Sequence, residues 1–150
     1  MTTPDGIATE DWAGIEALAR AVVEASGEGS TIAYVEAVEE LRERLRLLES
    51  RYGPLPSILA TIADYTEDDD EAIHLLKNAY FIAEQRHDVQ NMTYIASSIA
   101  QRYVEDLHDL LEGRSWANVL RQCLKSFPDA SEFELLSELE ARLNNVELSS

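Results

Sequence analysis

The sequence predicts an all-α domain of about seven antiparallel helices, arranged as stacked helical hairpins or as a compact bundle. Three observations predict it. Apolar residues recur at steps of three and four along most of the chain. No segment alternates apolar and polar with the period of two that a strand shows. Short stretches with Gly, Pro, Ser or Asp punctuate the periodic segments. With 150 residues and 45% hydrophobic content, residues 1–150 fit one domain with a real core, and 1–8 and 146–150 read as loose tails.

The first helix is expected from Thr9, as its cap, to about Ala25, with Glu10 and Asp11 in the first turn and Trp12, Ile15, Leu18, Ala19 and Val22 as its stripe. Ser26-Gly27-Glu28-Gly29-Ser30 breaks it, and Ser30 or Thr31 caps the second. That helix carries Val35, Val38, Leu41, Leu45, Leu48 and Tyr52 on one face. Its other face mixes Glu39, Glu40, Glu43 with Arg42, Arg44, Arg46, a solvated face with opposite charges one turn apart. Gly53-Pro54-Leu55-Pro56 ends it and starts a short third helix, about Pro56 to Tyr65, with Ile58, Leu59, Ile62 and Ala63 inward.

Asp68 or Asp69 is placed to cap the fourth helix, which ends at Arg86-His87. Its stripe is Ala72, Leu75, Leu76, Ala79, Tyr80 and Ala83. The fifth is expected from about Val89 to Leu111, with Met92, Ile95, Ala96, Ile99 and Tyr103 apolar and Gly113 as its stop. These two stripes must fold back on each other, and the alanines let them approach closely. Ser115 is placed to cap a sixth helix over Trp116–Phe127, and Ser131-Glu132-Phe133-Glu134 reads as a capping box for the seventh. The seventh helix has Phe133, Leu136, Leu139 and Leu143 inward.

Charge is the strongest global signal: 12 Lys and Arg against 29 Asp and Glu leave a formal net charge of −17. Such a surface repels nucleic acid and anionic lipid and speeds encounter with a basic protein. The acids concentrate in Asp64, Glu67, Asp68, Asp69, Asp70 and Glu71, with no basic residue before Lys77. No apolar run approaches the length of a membrane span, and the N-terminus has neither the basic nor the hydrophobic part of a signal peptide, which points to a cytoplasmic protein. A single cysteine, Cys123, excludes an internal disulfide and lies on an apolar stripe as a buried thiol would.

Leu59 and Ala60, then Ala72, Leu76 and Ala79, then the turn Gln85-Arg86-His87-Asp88, then Ile95 and Ala96 occupy small and apolar positions of a repeated helix–turn–helix unit. Over roughly Pro56 to Arg102 this resembles a degenerate tetratricopeptide repeat, a family whose units are about 34 residues long. The family's first-helix tryptophan and tyrosine are absent, and no proline closes the unit at Asp88. The resemblance implies a binding scaffold whose first helices line a concave face. In that register Ser57, Thr61, Asp64 and Tyr65 point into the face from one unit, and Gln90, Thr93, Ser97 and Gln101 from the next.

Two Glu-x-x-His spacings, Glu71…His74 and Glu105…His108, have the pattern of di-iron ligands in helical bundles. Both histidines fall off their helices' apolar stripes, so a metal-dependent bundle enzyme is the remote alternative. The acidic run lacks the glycine that an EF-hand loop requires, and no P-loop or Gly-x-Gly-x-x-Gly is present. The expectation is a protein that is not an enzyme, needs no cofactor or metal, and binds neither nucleic acid nor membrane.

In size, charge and architecture the chain resembles bacterial immunity proteins, which neutralise a cognate toxin. That resemblance implies stoichiometric binding of a basic toxin domain. The acids from Asp64 to Glu71 would steer the approach, and Tyr65 and Tyr94 would anchor the contact. Reversing Asp68, Asp69 and Asp70 to lysine is expected to slow association while leaving the domain folded. The alternative within binding proteins is a repeat-type secretion chaperone or an adaptor scaffold.

Overall fold

A computed structural model describes residues 3–149 in backbone and 3–145 in side chain; Met1, Thr2 and Ser150 lie outside the described residues. Seven α-helices and no strand are present among them: α1 (Thr9–Gly27), α2 (Thr31–Tyr52), α3 (Pro56–Asp64), α4 (Asp69–Gln85), α5 (Val89–Gln101), α6 (Leu110–Ser126) and α7 (Ala130–Ser149). None is long and apolar enough to cross a membrane.

The helix starts follow the chemistry of orphan N–H groups. Ser30 accepts from the Ala33 N–H at 3.2 Å and caps α2. Pro56 sits in the first turn of α3, where its missing N–H costs nothing. Four aspartates then cap the remaining helices in the same way. Asp68 accepts from the Glu71 N–H at 2.8 Å, Asp88 from Asn91 at 3.2 Å, Asp109 from Glu112 at 3.2 Å, and Asp129 from Glu132 at 3.0 Å. They stand twenty, twenty-one and twenty residues apart, so the second half of the chain repeats with one helix per Asp cap. Three expected caps are thereby corrected. Thr9 is already helical and makes no cap bond. Ser115 lies inside α6, and the seventh helix is capped by Asp129 rather than Ser131.

The long fifth helix is also corrected. After Gln101 the chain winds through one π-helical turn, Arg102–Asp106, and then reverses at His108, which takes a left-handed φ of 52°. The Asp109 N–H donates to the Tyr103 carbonyl at 2.8 Å and closes the reversal. Gly113 therefore ends nothing. It lies in the early part of α6, where the helix crosses the π turn so closely that a Cβ would stand 2.6 Å from Val104 Cγ2. His87 takes a similar left-handed φ of 55° just past α4, which ends at Gln85 rather than at Arg86-His87.

Each helix packs on its neighbours in sequence, and α5 also touches α3 and α7, giving antiparallel hairpins in series. Three apolar clusters result. Ile7, Ile15, Val22, Leu41 and Leu45 fill the space between α1, α2 and α3. Leu59, Leu76, Ala79, Ile95 and Ile99 fill that between α3, α4 and α5; Ala96, Leu120, Leu124, Leu139 and Leu143 fill that between α5, α6 and α7. Helices α3 and α5 serve two clusters each, which is why Ile58 and Ile62 face one way and Leu59 and Ala63 the other. Ala72, Ala79, Ala83 and Ala96 are fully buried at the crossings, where small side chains admit close approach. Each wholly enclosed Leu or Ile contributes about 1.5–3 kcal/mol.

The expected loose N-terminal tail is different from Thr3 onward. Asp5 is buried and accepts from the Ser57 N–H at 2.7 Å and the Ser57 hydroxyl at 2.9 Å, supplying from a distance the cap that α3 lacks locally. Ile7 is wholly enclosed. The segment is thus a strap laid across the start of α3, held because a carboxylate at a helix N-terminus and a buried isoleucine act together. At the other end, the α7 backbone stays helical through Ser149.

Candidate functional site

A recess of about 660 Å³ lies where the end of α3, the start of α4, the π turn and the first half of α2 converge. Arg102 builds it. Its guanidinium donates to Asp69 at 2.9 Å, to the Ala63 carbonyl at 2.9 Å and to the Thr66 carbonyl at 3.2 Å, with Asp106 4.0 Å away. One side chain therefore satisfies the exposed carbonyl end of α3 and ties it to the start of α4. Thr66 is buried beside them, donating its hydroxyl to the Ile62 carbonyl.

Around that guanidinium stand Asp64, Glu67, Asp69, Glu105 and Asp106, with Tyr34 of α2 and Tyr65 as aromatic walls. Glu105 accepts from the Gln101 amide and pairs with Arg142 at 3.2 Å. Asp64 keeps more than a third of its surface open to the recess, yet protein encloses its carboxylate on most sides. That enclosure pushes its pKa up to about 6 against the opposing pull of Arg102. Burial also raises Tyr65, helped by the nearby Asp64 and then Tyr34. The recess thus favours an added positive charge over an added negative one.

Two smaller recesses adjoin it and share Asp64 as a wall. One, about 130 Å³, lies between Asp64, Ser98, Gln101 and Arg102. The other, about 300 Å³, runs along α3 and α5 to the strap, past Ala60, Thr61, Gln90, Tyr94 and Ile95 to Trp12 and Pro4. Tyr94 packs edge-to-face on Phe127 with ring centroids 5.9 Å apart, and its hydroxyl reaches Asp129.

The structure brings together Asp64, Tyr65, Glu67 and Asp69 at the large recess, Thr61, Gln90 and Tyr94 along the apolar one, and Gln101 between them. Ser57 is at the edge of the apolar recess but buried, its hydroxyl given to Asp5. Asp68, Asp70 and Glu71 lie outside the recess walls, Asp68 being the α4 cap. Thr93 and Ser97 are corrected outright. They are 0% and 3% exposed, one turn apart on the α5 face that packs against α6 and α7. Thr93 donates to the Val89 carbonyl, and Ser97 bonds Glu132. Residues that the sequence reading did not place at this face (Tyr34, Arg102, Glu105, Asp106, Trp12) complete the walls.

The metal-ligand spacings come apart. Glu71 and His74 are exposed on α4, whereas Glu105 is in the π turn and His108 in the reversal after it. Among the described residues no group of three or more His, Cys, Asp or Glu is placed to hold a metal ion. Cys123 is buried beside Tyr80 and Thr93, and burial raises both its pKa and that of Tyr80, the latter to about 12. The recesses carry carboxylates and phenol rings at one end and a more apolar wall at the other. No protein-family model, curated protein or solved structure matches this chain.

Proposed function

We propose that this chain acts by stoichiometric binding to a basic protein, as a toxin-neutralising immunity protein does. The observation that carries the reading is the large recess, in which five carboxylate residues surround one guanidinium already engaged within the fold. Its setting on a chain of net charge −17 extends that local preference into a long-range field, which can raise the association rate by about 10- to 1000-fold at low salt. The stacked hairpins supply a rigid support, and a repeat-type scaffold of the tetratricopeptide kind remains the architecture this reading assumes. Neutralisation would consist in covering the partner's basic active surface, with no chemistry on this side.

The charge-reversal test must be redrawn. Asp68 caps α4 and Asp69 holds Arg102, so reversing them would cost stability as well as charge. Glu67, Asp70 and Glu71 are exposed, and only Glu67 borders the recess. The experiment is affinity capture from the native host, identification of the co-eluting protein, and stopped-flow association with the triple variant Glu67→Lys, Asp70→Lys, Glu71→Lys. The expected result is a single basic partner at equal abundance that arrests growth when expressed alone, and an association rate at least tenfold slower for the variant at low salt. A partner whose association ignores both salt and these three reversals would refute the electrostatic role of this face.

A further inference from the structure

Among the described residues, one enclosed side-chain oxygen has no hydrogen-bond partner: Glu132 Oε2. Glu132 stands in the first turn of α7, and its N–H is the one that the cap Asp129 accepts at 3.0 Å. Its half-buried side chain lies against α5, where the carboxyl meets the Ser97 hydroxyl. Ser97 is buried, so this contact is closed to water. An ionised carboxyl in such a place needs donors on both oxygens, because a desolvated anionic oxygen left bare is costly. Here one hydroxyl serves the whole group.

The charge beside it has the same sign. Asp129 is the neighbouring carboxylate, and the Tyr94 hydroxyl of α5 reaches that same Asp129 at 3.4 Å. The cations of the elements packed here are engaged elsewhere or exposed. Arg121 of α6 pairs with Glu140 farther along α7, Lys125 is exposed, and Arg142 pairs with Glu105 of the π turn. The positive end of α7 favours an anion, but Asp129 already occupies the capping position.

We propose that Glu132 is a proton-linked latch between α7 and α5, engaged when its carboxyl is protonated and loosened when it ionises. In the protonated form the carboxyl donates to the Ser97 oxygen, and the oxygen left bare is a neutral carbonyl, which tolerates the lack of a partner far better. Ionisation leaves an anionic oxygen without a donor and sets two carboxylates against each other at the start of α7. Burial is the main influence on Glu132 and raises its pKa above the ordinary 4.5; Ser97 opposes the rise and Asp129 adds to it. Docking of α7 therefore takes up a proton as pH climbs from 4.5 towards the raised value. The latch is complete below that window and weakens as pH rises through it. Since Tyr94 both bonds Asp129 and walls the apolar recess, the same proton bears on that wall.

The test follows hydrogen exchange of the Leu136, Leu139 and Leu143 amides from about pH 4 to about pH 8, corrected for intrinsic rates, beside the carboxyl-carbon NMR titration of Glu132. The whole protein is used in an Asp64→Asn background, so that Asp64 adds no slope of its own. Glu132 should titrate above 4.5, and across that titration α7 protection should fall by up to about tenfold per pH unit, the limit for one proton. The Tyr94 ring signal should move over the same range. Glu132→Gln keeps the side chain's shape and cannot ionise, so its α7 protection should hold the acid level throughout. Ser97→Ala removes the one donor and should move the Glu132 titration upward. Glu132 titrating at or below its ordinary value, as it would if water reached Oε2, would overturn the proposal. So would α7 protection that falls equally in Glu132→Gln, or a Glu132 midpoint that Ser97→Ala leaves in place.

Discussion

Gly113→Ala tests the tight crossing of α6 over the π turn. In an open helix interior this substitution stabilises by about 1 kcal/mol, since alanine is the better helix former. Here the new Cβ would meet Val104 Cγ2 at 2.6 Å, while its next neighbours stand at ordinary contact distances of 3.6 and 3.7 Å. Val104 is 4% exposed and β-branched, so its methyl cannot swing away freely. Overpacking of this kind costs about 1–3 kcal/mol, leaving the single variant neutral to about 2 kcal/mol less stable. Removing the obstructing methyl changes the sign. In a Val104→Ala background the same Gly113→Ala should stabilise by close to the full propensity term. The double-mutant cycle should therefore return a coupling of about 1–3 kcal/mol, read from urea unfolding of the four proteins. Additive effects, or a Gly113→Ala protein that gains the whole kilocalorie with Val104 in place, would refute the close-approach argument.

Arg102→Met should destabilise by about 2–3 kcal/mol, because it leaves two carbonyls of the α3 end and Asp69 without their guanidinium; thermal unfolding should fall by several degrees. A loss below half a kilocalorie would mean that water replaces it fully. Asp64 should titrate near pH 6 by carboxyl-carbon NMR, and higher still in Arg102→Met, since Arg102 is the group that lowers it. Because its folded pKa lies above the unfolded one, folding takes up a proton between about pH 4 and 6. Asp64 thus makes stability decline as pH rises through that window, a slope that Asp64→Asn should remove. Asp5→Ala should cost about 1–2 kcal/mol and make the strap cleavable by protease, as expected for the loss of a helix cap held by two hydrogen bonds.

Helix identity was legible in the sequence because each stripe is strongly periodic, as Leu41, Leu45 and Leu48 or Ala72, Ala79 and Ala83 show. The break after Gln101 was not, since Ile99, Tyr103 and Leu107 continue the apolar rhythm straight through the π turn. The available cue was Asp109-Leu110-Leu111-Glu112, the same aspartate-led start that Asp68, Asp88 and Asp129 provide. Half of the recess was legible for a related reason: Asp64, Tyr65 and Glu67 are contiguous. The facing wall comes from Tyr34 and from Arg102, Glu105 and Asp106, thirty or more residues away, and only packing joins them. Thr93 and Ser97 misled because a polar residue within an apolar stripe suggests solvent. A threonine that returns its hydroxyl to its own helix, as Thr93 does to Val89, can be buried without cost to the surroundings.

The serial order of the hairpins also fixes how the molecule comes apart. Helix α5 is braced by α3, α4, α6 and α7, whereas the α1–α2 pair joins the rest through α3 and the strap. Such a chain unfolds in cooperative units rather than all at once, with the end pair opening at lower free energy than the centre. Native-state hydrogen exchange should show amides near Leu41 and Leu45 released together, ahead of those near Ile95 and Ile99. Since Tyr34 lies on α2, each such opening also dissolves one wall of the acidic recess, so partner occupancy and the cohesion of the first hairpin rise and fall together.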